Sequence, residues 1–229
     1  MLSAIIVAGG SSQRMRFDKL FAIIAGEPVI AHTIRAFEHA TSISEIVVVA
    51  REERHDEIRK ISRDTGFKKI RSIVPGGERR QDSVRAGLDQ IDREAKYVAV
   101  HDAARPLITA KQIERAFDQC RVHGSAALAQ PVNDTLKRAD ADLLVVGLVD
   151  RHQLYAMQTP QIFERKLIED AYRGVYAENA SVTDEVSAVE RLGHKIALVL
   201  NDDFNCKITY PRDLPVADFI LREREKNHR

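Results

Sequence analysis

Two cysteines, Cys120 and Cys206, are all that this chain contains, and they stand far apart with no metal-ligand spacing. A disulfide framework and a zinc site are both excluded as its organising element, so the thiols read as small buried hydrophobes. An excess of one charge is equally lacking. Lys and Arg number 35 against 34 Asp and Glu, and no block of like charge forms a tail. A nucleic-acid or membrane-surface protein would carry a basic excess on one element, so any anionic ligand must be met locally. Long apolar runs are missing too. Nothing approaches the ~20 apolar residues of a membrane span, and the short apolar run before Gly9 has no basic segment ahead of it. The expectation is a cytoplasmic protein with neither nucleic acid nor membrane among its partners.

What is present is an alternation of short β-branched runs with longer segments of helical periodicity. At 229 residues the chain is expected to form a single domain, 1–229, large enough to bury roughly 70% of the surface its unfolded form exposes. Strands are expected at 3–8, 45–50, 69–74, 96–101, 125–130 and 195–200. Helices are expected where Ile30, Ile34 and Phe37 follow Pro28 at a first helical position, at Val84–Leu88–Ile91, at Ile113–Cys120, and at Val182–Val186–Val189. Strands apolar on both faces and separated by helices make the fold class α/β, with a mainly parallel sheet covered on both sides. Residues 131–163 break this rhythm. Two strand-like runs flank the turn formers Asp140, Ala141 and Asp142 with no helix between them, which reads as an inserted hairpin. Such a hairpin either extends the sheet edge or reaches out to a neighbouring subunit.

In open α/β sheets ligands bind beyond the carboxyl ends of the strands, which is where "AGGSSQRMRFDK" falls. Gly9 and Gly10 let backbone approach a ligand, and N–H groups there can form an anion-binding concavity. The third glycine of G-x-G-x-x-G is absent, and Lys19 comes too late, with no Ser or Thr behind it, for a Walker A loop. What remains is a glycine pair followed by cations at Arg14 and Lys19, a spacing able to wrap a triphosphate. A bare glycine turn with solvated cations is the other reading. After the apolar run Val98–Val100 comes "HDAARP", in which Asp102 beside Arg105 could hold Mg²⁺ bridging phosphate oxygens or simply cap the following turn. His101 reads as a packed histidine, and no nucleophile triad is present. The polar clusters "PGGERRQDSV" and "NDDFNCKITYP" fall at strand ends on the same side of the sheet. Asp82 or Ser83 could serve there as a helix cap, and Ser181 with Asp184 fits a capping box, which gives Asp184 a structural role.

Together these segments, with "PVNDTLKR", "VDR" at 149–151, "QTPQIF" and "VTDEVSAVE", occur in the order found in one family. Over essentially its whole length the chain resembles the 2-C-methyl-D-erythritol 4-phosphate cytidylyltransferases. The glycine loop alone is similar also to the nucleotidyltransferases of molybdenum cofactor synthesis; "HDAARP", the hairpin and the late lysine segment decide between them. The resemblance implies a Rossmann-like three-layer nucleotidyltransferase fold and transfer of CMP from CTP to methylerythritol phosphate with Mg²⁺. It implies that Arg14 and Lys19 stabilise charge on the triphosphate and that Asp102 holds the metal. Ala8, Gly9, Gly10, Gly77, Glu78, Ser83 and Ala103 would line the nucleotide pocket. Arg151 and Lys207 would grip the acceptor phosphate, with Arg105, Thr135 and Asn205 nearby, and the arm at 131–152 would complete the site of the other subunit in a homodimer.

Two positions depart from the family's habit: Gly9 stands where alanine is frequent, and Asp18 where a proline commonly precedes the lysine. A loop of different flexibility is the expected consequence. Two alternatives stay open, a ribitol 5-phosphate cytidylyltransferase and, from another class, a nucleotide-binding regulator that never turns over.

Overall fold

Leu2, Ala4, Ile5 and Ile6 are wholly buried on both faces of the first strand, which places β1 (Leu2–Ala8) inside a sheet rather than at its edge. The computed structural model describes residues 1–10, 14–15 and 17–227; Arg16 lies outside them. After β1 come a small ribbon, β2 (Ile23–Ile24) and β3 (Glu27–Pro28), then helix α1 (Val29–His39) and β4 (Ile43–Ala50). A 3-10 turn (Glu52–Arg54) runs into α2 (His55–Thr65), followed by β5 (Ile70–Pro75), α3 (Arg80–Leu88) and β6 (Tyr97–Asp102). Next are α4 (Ala110–His123), β7 (Ser125–Pro131), β8 (Leu136–Ala139) and β9 (Val145–Val149). β10 (Tyr155–Glu164), α5 (Arg165–Ala177), α6 (Glu185–Glu190), β11 (Ala197–Leu200) and α7 (Asp213–Asn227) complete the order.

Seven strands form one sheet in the order β11-β7-β10-β6-β1-β4-β5. All neighbours pair in parallel except β10, which runs antiparallel to both β6 and β7. One face is covered by α1, α2, α4 and α7 through Ile34, Phe37, Ile58, Ile113 and Ile220. The other is covered by α3, α5 and α6 through Val84, Leu88, Ile168, Tyr172 and Val189. This is the Rossmann-like three-layer α/β arrangement expected, and the six anticipated strands fall within two residues of their expected bounds.

Three local expectations need correction. Pro28 precedes α1 as its N-cap rather than opening its first turn, because it still pairs with Ile23 in the β2/β3 ribbon. Ser181 does not cap α6. Asp184 is itself the N-cap, accepting from the Ser187 N–H at 2.9 Å. Gln161 Oε1 docks the start of this helix by accepting from the N–H groups of Glu185 and Val186, at 3.1 Å each. The third concerns 131–163: the two expected strand-like runs are β8 and β9, and beyond them "YAMQTPQIFE" adds β10 to the main sheet, where Gln158, Thr159 and Gln161 are buried because each has a side-chain partner, described below. The outer half of β10 pairs with β7, Tyr155 opposite Pro131 and Met157 opposite Ala129. These two strands form the stem of the arm, whose tip is the β8/β9 hairpin. No helix among the described residues is long and apolar enough to cross a membrane.

Candidate active site

β1 lies between β4 and β6, and the chain leaves it toward β4 and β5 on one side while β6, β10 and β7 lie on the other. At such a switch point the loops beyond the strand ends part and leave a crevice. Two adjoining cavities occupy it. One, of about 100 Å³, is lined by Val7, Gly10, Lys19, Arg80, Asp102 and Lys207 among others. The second, of about 370 Å³, shares Val7, Gly10 and Arg80 and adds Gly9, Arg51, Gly76, Gly77, Glu78 and Ser83. A more open depression near the start of β6 is lined by Arg165, Lys166 and Arg173, cations already paired with Glu169 and Asp170.

The wider cavity is shaped by close packing. A Cβ on Gly77 would stand 2.3 Å from Asp82 Cβ, and one on Gly76 2.8 Å from Ser83 Oγ, so only glycine lets this loop lie against the start of α3. Ser83 Oγ accepts from the Gly77 N–H at 3.2 Å. It is a fastener within the pocket rather than a helix cap. Asp82 receives the Arg79 N–H at 3.1 Å and the Arg79 guanidinium at 2.8 and 2.9 Å. That guanidinium holds the Asp82 carboxyl down to about 2.

The narrow cavity gathers charge. Asp102, at the end of β6, accepts from Lys207 Nζ at 2.7 Å and from Arg80 Nε at 3.2 Å, with Arg105 Nε at 3.8 Å. Burial alone would raise its pKa, but Arg80 and Lys207 outweigh that and keep it ionised, well below the usual carboxylate range. Arg80 makes a two-pronged ion pair with Glu185 at 2.7 and 2.9 Å. Glu185 is fully buried and also accepts from the Tyr172 hydroxyl at 3.0 Å. Lys19 Nζ donates to the Ile208 carbonyl at 2.7 Å, and burial, then the neighbouring Lys207 and Arg14, lower its pKa. Arg14 is exposed, its guanidinium 5.4 Å from the centre of the Tyr210 ring.

Behind this cluster the "HDAARP" turn is wired into the core. Thr159 Oγ1 accepts from the Asp102 N–H at 3.1 Å and lies 3.0 Å from His101 Nδ1. Burial pushes His101 down to about 3, so it is neutral, with Nε2 3.3 Å from the Arg105 carbonyl. Arg105 donates to the Asn205 carbonyl at 2.7 Å. Asn205 donates to Gln158 Oε1 and the Thr159 carbonyl, and Gln158 also accepts from Asn201, which in turn accepts from Gln112 of α4 at 2.6 Å. The segment carrying Lys207 is therefore anchored through side-chain amides to β10 and α4.

A family model described as IspD: 2-C-methyl-D-erythritol 4-phosphate cytidylyltransferase matches residues 2–223. The chain belongs to the 2-C-methyl-D-erythritol 4-phosphate cytidylyltransferase family. It is 41% identical over 225 residues to the 2-C-methyl-D-erythritol 4-phosphate cytidylyltransferase of Caldanaerobacter subterraneus subsp. tengcongensis, spanning 97% of this chain and 99% of that one. Its fold matches the crystal structure of 4-diphosphocytidyl-2C-methyl-D-erythritol synthase from Anaerococcus prevotii with a TM-score of 0.85 at 30% identity, over 96% of each chain. For the 2-C-methyl-D-erythritol 4-phosphate cytidylyltransferase of Thermus thermophilus the TM-score is 0.78 at 26% identity, over 97% of this chain and 100% of that one.

Within this member of the cytidylyltransferase family, Gly9, Gly10, Lys19, Gly77, Glu78, Ser83, Asp102 and Lys207 all line the paired cavities. Ala8 and Ala103 are buried directly behind them, the Ala103 carbonyl held by Thr33 Oγ1 at 2.8 Å. Arg105 and Asn205 line neither cavity and serve instead as supports of the Lys207 segment. Thr135 and Arg151 lie on the exposed arm, away from both linings, with Arg151 donating to the Asn133 carbonyl. Sequence reasoning missed Arg80 and Glu185; its one available signal was a second arginine in "GGERR". It also gave "AREERHDE" no role, yet Arg51 and Arg54 reach the glycine loop from there.

A metal fits the donor set in one way only. Among the described residues no three His, Cys, Asp or Glu side chains gather around a point, so a cage made by the protein alone is not available. Among the described residues, Asp102 is the one carboxylate lining the narrow cavity, beside Lys19, Arg80 and Lys207, which suits Mg²⁺, an ion usually held by one or two carboxylates with the remaining ligands from phosphates and water.

Proposed function

We propose that the chain transfers CMP from CTP to the phosphate of 2-C-methyl-D-erythritol 4-phosphate, releasing pyrophosphate, as a single nucleotidyltransferase unit that works in the cytoplasm as a homodimer. The observation that carries this reading is the convergence of Lys19, Lys207 and Asp102 on one cavity beside Gly10, in a chain matched by the cytidylyltransferase family over 2–223.

The chemistry asks little of proton transfer. A phosphate monoester carries about −1.5 to −2 charge at pH 7 and is already an ionised nucleophile. Its oxygen attacks the α-phosphorus of CTP, the bond from that phosphorus to the bridging oxygen of the β-phosphate breaks, and pyrophosphate leaves with the electron pair. Bringing two anions together in line is the difficulty, and fixed cations solve it. Lys19 and Arg14 hold the triphosphate, and Lys207 and Arg151 the acceptor phosphate. Gly77, Glu78, Ser83, Ala8, Gly9 and Ala103 form the walls for the nucleoside, while Thr135 orients the acceptor. Mg²⁺ held by Asp102 would supply further neutralisation of the phosphate oxygens. The neutral His101 takes no proton from substrate and holds the Asp102 turn instead. The arm, 131–152, carries Arg151 and Thr135 together with the exposed Leu143, Leu144, Val145, Val146 and Leu148, a composition suited to covering another copy of the chain.

The test is pyrophosphate release from CTP with methylerythritol phosphate or ribitol 5-phosphate as acceptor, with and without Mg²⁺. Release that needs Mg²⁺ and the methylerythritol acceptor is expected. Release with ribitol 5-phosphate alone would reassign the substrate, and release with neither would make the protein a binder rather than a catalyst.

A further inference from the structure

The backbone carbonyls at the start of the glycine loop are all taken by two arginines from one short turn. Arg54 Nη1 donates to the Ala8 carbonyl and Nη2 to the Gly10 carbonyl at 2.9 Å, while Arg51 Nε donates to the Gly9 carbonyl at 3.2 Å. The third guanidinium nitrogen, Arg54 Nε, donates to Asp18 Oδ2 at 2.5 Å. The Arg54 side chain is only 4% exposed. It is buried under the loop and cannot be an ordinary surface cation. β4 pairs with β1 through Ala50 and Ala8, so the turn that follows β4 is delivered directly beneath the loop that follows β1.

We propose that Arg54, with Asp18 as its partner, is a positioning residue for the nucleotide-binding loop, clamping its beginning to its end. The idea rests on the reading of this cavity as a CTP site and deepens it. In a planar trans peptide the C=O of one residue points opposite to the N–H of the next. Fixing the carbonyls of Ala8 and Gly9 from the arginine side therefore turns the N–H groups of Gly9 and Gly10 away from the arginines, where an anion can use them. A Cβ at Gly10 would meet nothing within 4 Å among the described residues, so the space beside that residue is open. Two glycines otherwise have wide backbone freedom, and the guanidinium supplies the missing restraint. Through Asp18, which also accepts from the Leu20 N–H at 3.1 Å, the same group sets where Lys19 stands relative to Gly10. Asp18 occupies the place where the resemblance leads one to expect proline. A ring that stiffens the chain locally is replaced by a carboxylate tied across the loop.

The Arg54 guanidinium donates to its three acceptors from three separate nitrogens in a fixed plane, whereas the three N–H groups of lysine share one nitrogen, so lysine is not an equivalent. The experiment compares wild type with Arg54→Lys, Arg54→Met and Asp18→Asn, measuring KM for CTP and for the acceptor, CTP·Mg²⁺ binding by calorimetry without acceptor, and thermal unfolding. Loss of hydrogen bonds from a charged donor to the loop is expected to weaken CTP binding about tenfold in Arg54→Lys, and more in Arg54→Met. Asp18→Asn, at a partly exposed position, should cost about threefold, and added to Arg54→Lys it should cost little more, because the two act as one unit. Acceptor KM should stay within about twofold of wild type. A merely structural arginine would lower the unfolding temperature and leave this split absent. Folded variants with wild-type CTP affinity, or equal losses for both substrates, would overturn the clamp. If the Arg54 variants do not fold, Asp18→Asn decides alone. A wild type that binds no CTP would sink the reading of the cavity and the clamp with it, whereas normal wild-type binding with unaltered variants sinks the clamp only.

Discussion

The sheet end and the arm make an instructive pair. At the sheet end, Asp102, Arg80, Glu185 and Lys207 are each held by partners in the same chain, and the residues behind them are buried. On the arm, every residue from 130 to 157 keeps some exposure, and several of its apolar side chains stand in solvent, Leu143 at 85% and Leu148 at 68%. Intramolecular packing thus specifies most of the residues assigned to substrate and leaves two of them, Thr135 and Arg151, on an exposed arm. A preorganised electrostatic site and a shared one differ in which kinetic constant a mutation moves.

The largest expected effect breaks the sheet end. Lys19→Ala should lower kcat on the order of 10²-fold or more, the scale seen when one fixed electrostatic donor is lost; steady-state rates with both substrates saturating check this, and a near-normal kcat would remove Lys19 from the chemistry. The arm is tested by mixing. Arg151→Ala should raise acceptor KM, and when Lys19→Ala and Arg151→Ala chains are refolded together at equal amounts and assayed with acceptor well below the wild-type KM, about a quarter of wild-type activity should return. Half the random dimers are mixed, and each mixed dimer has one intact composite site. No recovery would place Arg151 in the same chain's site.

A smaller effect is expected from the wall of the wider cavity. Gly77→Ala forces a Cβ into Asp82, a strain of about 1–3 kcal/mol. It should appear as a rise in CTP KM and a Tm lower by roughly 5 °C. Gly9→Ala meets only Ser83 Oγ, at 3.1 Å, and should be milder in both assays. The smallest is a pH effect. Lys19 is lowered by burial and by the cations beside it, and it must be protonated to hold phosphate. The alkaline limb of kcat/KM for CTP should therefore fall below the ordinary lysine value of about 10.4. Lys207→Met, which removes one of those cations, should move the limb upward.

Much of this was legible in the residues themselves. Short apolar runs marked six of the seven sheet strands, and glycine pairs beside charged residues marked the two loops that line the cavities. What stayed hidden is charge that is buried. Arg80 and Glu185 lie 105 residues apart and Arg54 and Asp18 36 apart. In one dimension each looks like a solvated side chain, because burial of a charge is decided by a partner that only tertiary structure supplies. β10 was hidden for the same reason. Gln158, Thr159 and Gln161 argue against a central strand until Asn205, His101 and Asp184 are seen to satisfy them. Periodicity reports where water is excluded from apolar groups and is silent about polar groups that exclude it by pairing.

The stem formed by β7 and β10 adds a constraint of length. Its two legs are paired residue against residue from Ala129–Met157 out to Pro131–Tyr155, so the tip stands off the sheet by a fixed number of steps of about 3.3 Å each. Removing one residue from a single leg would turn the succeeding side chains of the paired stem to the opposite face. The span of the arm can therefore be retuned only by matched insertions or deletions on both legs, like adding rungs to a ladder.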